Sequence, residues 1–96
     1  MLPNANSFND LQDEDKLLLL NYIAENFHQV QNINPQYSAY GLKARFNRLT
    51  GSDKNHHITS QCFMEAMVAS GYKAVQIPDT GEANWRFNIG KIHFTD

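Results

Sequence analysis

The chain is short of the features that announce chemistry. It has one cysteine, Cys62, so it can form no internal disulfide and no cysteine-rich zinc site. A small helix residue that packs inward is the simplest role for that thiol, and a reducing compartment suits it. The longest apolar run is Leu17-Leu18-Leu19-Leu20, far below the ~20 residues a membrane span needs. The opening M-L-P-N-A-N-S-F-N-D has neither a basic start nor an apolar stretch, and so does not read as a secretory signal. No G-x-S-x-G, no phosphate-loop G-x-x-x-x-G-K and no paired carboxylates in a plausible cleft are present. His56 and His57 beside Asp53, with His28 and His93, lack the H-x-H or H-x-x-x-H spacing that would bring imidazoles onto one metal. These absences point away from an enzyme, a cofactor, a metal and a membrane partner.

Cations are also scarce, and they are not evenly spread. Lysine and arginine number 8 against 10 acidic residues, for a net charge of −2. Residues 1–31 carry Asp10, Asp13, Glu14, Asp15 and Glu25 against Lys16 alone, a net of −4. Residues 32–75 carry Lys43, Arg45, Arg48, Lys54 and Lys73 against Asp53 and Glu65, a net of +3. A basic face of this kind suits phosphates, although solvated helix faces with local ion pairs look the same.

What is present is a legible order of elements. With 96 residues and 42% hydrophobic content, the chain supports one small domain with a modest core. Residues 1–9 are polar and read as a loose arm. A first helix starts near Asp10 or Asp13, where carboxylates favour the positive end of the helix dipole. Leu20, Ile23 and Phe27 are its core stripe, widened by Leu17, Leu19 and Ala24. Q-V-Q-N-I-N-P-Q-Y reads as a connector, because Pro35 and its asparagines resist helix. Ser38 caps a second helix over 39–49, with Leu42, Phe46 and Leu49 turned inward and Arg45 and Arg48 on another side. T-G-S-D-K-N-H-H is a polar loop.

Thr59 is the strongest cap in the sequence and opens a third helix to about Ser70, with Ile58 stapling to Phe63. Phe63, Ala66 and Met67 point inward. Gly71 and Tyr72 form the expected stop, a left-handed residue followed by an apolar one. K-A-V-Q-I and W-R-F-N-I alternate as strands around the turn P-D-T-G-E-A-N, with Trp85, Phe87 and Ile89 on one face. The expected class is α+β: a three-helix bundle with a C-terminal β-hairpin, winged-helix-like, over residues 10–96.

That order suggests contact with nucleic acid. The candidate contact residues are Lys43, Arg45, Arg48 and Lys54 for phosphates, with Ser60 and Gln61 nearest the bases. The exposed face of the third helix, Ser60, Gln61, Met64, Glu65 and Val68, carries no cation. The turn after Pro78 offers Asp79 and Glu82 and no cation either. Both facts weaken sequence-specific groove reading and favour backbone contact or a protein partner.

Three blocks carry a resemblance. Y-S-A-Y-G-L-K-A-R-F at 37–46, I-T-S-Q-C-F-M-E-A-M-V-A-S-G-Y-K at 58–73 and N-W-R-F-N-I at 84–89 resemble a group of small accessory proteins of phages and prophages of Gram-positive bacteria. The pattern there looks like S-x-Y-G-L-K-x-x-F, V-S-x-x-x-F-x-x-A-M-x-x-A-G-Y and N-W-x-F-x-I. This chain departs at Thr59 and Ser70, and its acidic start lies outside the pattern. A similar capped helix and hairpin occurs in C-terminal modules of some mobile-element primases and replication proteins. The resemblance implies a non-enzymatic, cytoplasmic accessory protein in a bacterial host cell, without assigning site residues. Its partner would be double-stranded DNA, or else a host or phage protein that it inhibits, such as a CRISPR nuclease or a replication protein. A homodimer through the first helix or the turn is a third expectation.

Overall fold

The computed structural model describes residues 7–49, 58–78 and 83–92. These residues form an α+β fold with a 3₁₀ turn at Phe8–Asp10, three α-helices and a two-stranded antiparallel hairpin. The helices are α1 (Asp13–Asn26), α2 (Ala39–Leu49) and α3 (Ser60–Ala69), and the strands are β1 (Ala74–Gln76) and β2 (Trp85–Phe87). No helix of the described residues is long and apolar enough to cross a membrane.

The ends of α3 follow from local chemistry. The Thr59 hydroxyl accepts the Cys62 N–H at 3.1 Å, which satisfies one of the helix's orphan donors. At the other end Gly71 takes φ 96°, a conformation that costs a side-chain-bearing residue energy. Its N–H bonds the Val68 carbonyl, and the Tyr72 N–H bonds the Met67 carbonyl, both at 3.0 Å. That is the double closure of a Schellman stop. The α2 start is equally local: the Ser38 hydroxyl accepts the Gly41 N–H at 3.3 Å. At α1 the carboxylates of Asp13, Glu14 and Asp15 fill the first turn, and Gln12 supplies no side-chain cap.

One core joins these pieces. Leu19, Ile23, Cys62, Phe63, Ala66, Met67 and Phe87 are completely shielded from solvent, and Ile89 nearly so. Edge-to-face aromatics link the elements: Tyr22 of α1 meets Phe46 of α2 at 5.1 Å, and Phe27 meets Phe63 of α3 at 6.3 Å. Phe63 continues to Phe87 of β2, also at 6.3 Å. Such pairs add to the area effect when rings meet edge to face. Burial, helped by the negative charges of Glu65 and Asp10, pushes the Cys62 thiol up to about 12, so the thiol is inert core.

The connector between α1 and α2 is more than a loop. Gln29 forms an antiparallel bridge with Ile89. The Val30 N–H bonds the Asn88 carbonyl, the Gly90 N–H bonds the His28 carbonyl, and the Asn34 N–H bonds the Phe87 carbonyl at 2.8 Å. Residues 28–34 therefore run along the free side of β2 and its extension, opposite β1. Side-chain amides complete this edge. Asn88, 5% exposed, donates to the Val30 carbonyl at 3.0 Å and accepts the Lys73 N–H at 2.7 Å. Asn34 donates to the Ile89 carbonyl at 3.0 Å.

Three expectations change at this level. Leu49 is 48% exposed, and the buried flank of α2 belongs to Asn47 instead. The Asn47 amide accepts the Ile58 N–H and donates to the Ile58 carbonyl, at 3.0 and 3.2 Å, as a strand's peptide group would. Leu17 and Ala24 face solvent rather than the core. Ser7, Phe8 and Asn9, expected in a loose arm, form or cap the 3₁₀ turn that packs on α3. The rest of that arm, residues 1–6, lies outside the described residues, as do the polar loop 50–57 and the turn residues 79–82.

Asn88→Ala should cost about 2 kcal/mol of stability, because it strips the Val30 carbonyl and the Lys73 N–H of their partners at once. Urea denaturation measures this, and the midpoint should fall with the m-value unchanged.

Candidate nucleic-acid interface

The sequence nominates six residues, and the structure distributes the five that it describes over three places. Arg45 and Arg48 lie three apart on α2 and line one open cleft of about 320 Å³. Gln36, Tyr37, Ser38 and Gly41 form the rest of its polar wall, and Leu42 and Ala44 contribute apolar surface. Tyr37 is held in place from the far end of the chain. Its hydroxyl accepts the Ile92 N–H at 3.2 Å and donates to the Ile92 carbonyl at 3.4 Å. Asn34 accepts the Gln36 N–H at 2.9 Å across Pro35, fixing the turn that delivers Tyr37 to the cleft.

The cleft's cationic character comes from side chains and not from the helix end. Two of the α2 N-terminal amides are already used. Gly41 donates to Ser38, and Tyr40 donates to the Asn84 side chain at 3.0 Å. Asn84 also accepts the N–H of Trp85 at 2.9 Å, so the turn end of the hairpin is stitched to the start of α2. A guanidinium carries five N–H donors in a planar fork. Two of them on one wall can meet a phosphate even with local partners retained.

Lys43 is not in that cleft. It sits on the other flank of α2, with its ammonium 4.4 Å from the centre of the half-exposed Tyr40 ring. Lys54 lies outside the described residues. Ser60 and Gln61 stand on the first turn of α3, away from the lining of the cleft.

The outer side of α3 is tied up by a carboxylate. Glu65 accepts the Phe8 N–H at 2.8 Å and the Ser7 hydroxyl at 2.9 Å through one oxygen, and the Gln61 amide at 3.2 Å through the other. Gln61, one of the two candidate base contacts, therefore already spends a donor on its own helix. Burial alone would push the Glu65 carboxyl up, but the bonds from Phe8, Gln61 and Ser7 outweigh it and hold the carboxyl below its usual range. The Phe8–Asp10 turn thus flanks the helix that groove reading would need.

Among the described residues, no group of three or more His, Cys, Asp or Glu is placed to hold an ion. His56, His57, Asp53 and His93 lie outside the described residues. The chain matches no protein-family model, no curated protein and no solved structure.

Sequence reasoning missed Glu65 as an anchor for the N-terminal turn. The signal was S-F-N-D, where a serine caps a short turn and Phe8 offers an apolar foot, but its partner lies 57 residues away. Because the folded Glu65 carboxyl is more acidic than in the unfolded chain, its bonds stabilise the native state above the unfolded value of 4.5. They are lost as pH falls through the lower folded value. The Phe8 amide nitrogen shift should therefore titrate in acid with a midpoint below 4.5, and Glu65→Gln should abolish that titration. NMR of the wild type and the variant reads this directly.

Proposed function

We propose that the chain is a non-enzymatic DNA-binding module of winged-helix type, holding duplex DNA mainly by its phosphate backbone through the α2 cleft. The order of elements supports the architectural half of this reading. A pairing segment follows the first helix, two further helices come next, and an antiparallel hairpin closes the chain with β2 between β1 and that segment. The observation that carries the DNA half is the pair Arg45 and Arg48 lining one cleft.

The same geometry argues for weak sequence preference. Base reading relies on Arg, Lys, Asn or Gln side chains reaching groove edges, while phosphate contact supplies most non-specific affinity. On α3 the available amide of Gln61 is bonded to Glu65, and that carboxylate repels the backbone. Phosphate contact without base contact is then the expected mode. The inhibitor reading of the sequence draws on other features, the acidic first helix and the acidic turn that holds Asp79 and Glu82. A phage or prophage setting rests on the sequence resemblance.

Fluorescence anisotropy on a random duplex across a salt series tests the DNA reading. Affinity should fall steeply with salt, and Arg45→Ala/Arg48→Ala should lower the slope of log K against log salt by about 2. Ser60→Ala/Gln61→Ala should change affinity less than about twofold. Wild-type binding by the arginine double variant would remove the proposal.

A further inference from the structure

The cleft leaves unexplained a second surface, the exposed face of α1. Leu17 to Leu20 are four successive leucines. At 3.6 residues per turn they sweep roughly 300° of helix circumference, so a one-sided core cannot take them all. Leu19 is fully buried and Leu20 half-buried, while Leu17 and Leu18 are 59% and 45% exposed. Ala24, seven positions after Leu17 and on the same side, is exposed as well. The outer face of a surface helix is ordinarily polar, and polar residues at 17 and 18 would leave the core untouched.

The charged residues that α1 itself places on this face are of one sign. Asp13, Glu14 and Glu25 are exposed on the same side of α1. Glu14 and Asn21 sit one turn before and after the leucine pair. The single cation of the helix, Lys16, turns to the other flank, with its ammonium 5.8 Å from the centre of the Phe8 ring.

We infer that this face of α1 is a docking surface for a basic amphipathic helix of another protein. Leucine-sized residues of the partner would cover Leu17, Leu18 and Ala24, and its lysines or arginines would meet Asp13, Glu14 and Glu25. Charge complementarity selects this occupant. Duplex DNA is repelled by the carboxylates. A second copy would set this acidic face against its own like. A neutral apolar segment would leave three carboxylates desolvated without partners. The inference is independent of the phosphate contact at Arg45 and Arg48, which lies on another helix.

The test uses the full chain and two labelled peptides of equal charge, one a leucine–lysine amphipathic helix and the other with each leucine replaced by glutamine. The wild type should bind the leucine peptide at least about tenfold more tightly than the glutamine one. Leu17→Gln/Leu18→Gln should lose about tenfold, and Glu14→Gln/Glu25→Gln should lose severalfold with a flatter salt dependence. Arg45→Ala/Arg48→Ala should bind as wild type. Should a variant unfold, amide shifts of the wild type on titration decide the matter, and they should move along residues 14–25. Equal binding of both peptides, shifts confined to α2 or α3, shifts of α1 on adding duplex DNA, or a wild-type dimer that Leu17→Gln/Leu18→Gln dissolves would each overturn the proposal.

Discussion

The fold hangs on the pairing of residues 28–34 with the extension of β2, and Asn88 is the residue at its centre. That one side chain and its own carbonyl engage Val30 on one side and Lys73 on the other. A hairpin of two three-residue strands is marginal by itself. Flanked by a third segment and backed by Phe87 and Ile89 in the core, it becomes a wall against which α3 and the connector are set. The position of α2 follows. Asn34 fixes the Pro35 turn, Tyr37 is tied to Ile92, and Asn84 meets the first turn of the helix. The cleft that Arg45 and Arg48 line is thus built from the sheet outward.

Asparagine does most of this stitching for a physical reason. Its amide carries a donor and an acceptor in the same spacing as a peptide group, so it can close a backbone edge where the ladder ends. Asn47 does so for Ile58, Asn88 for Val30 and Lys73, and Asn34 for Ile89. Buried backbone groups need such partners, since each one left unpaired is costly. Charged side chains have distinct places: Asp13 and Glu14 stay in water, the Glu65 carboxylate is spent on the N-terminal turn, and Arg45 and Arg48 line the cleft of α2.

Elements set by neighbours in sequence were legible. Thr59, Gly71, Ser38 and Pro35 mark boundaries because caps, left-handed turns and proline act within a few residues, and the bounds of α2 and α3 came within a residue. The coarse α+β order followed from them. Pairing across long separations was not legible. An asparagine-rich connector reads as loop by composition, and nothing local says that Asn88 lies 58 positions from its partner at Val30. Asn47 was passed over for Leu49 because hydrophobicity ranks leucine inside, whereas the amide was needed for Ile58. Among the candidate site residues, the three-residue spacing of Arg45 and Arg48 already implied a shared side. Grouping Lys43 with them ignored its position nearly half a turn away.

Native-state amide hydrogen exchange at Val30, Asn34 and Gly90 tests the sheet extension most directly, because each N–H there bonds to the far side of the pairing. The predicted result is protection at all three close to that of the α3 core amides, with opening free energies near global unfolding. Exchange at Val30 and Asn34 as fast as in an open loop would contradict it, and the support beneath α2 and its arginine cleft would go with it.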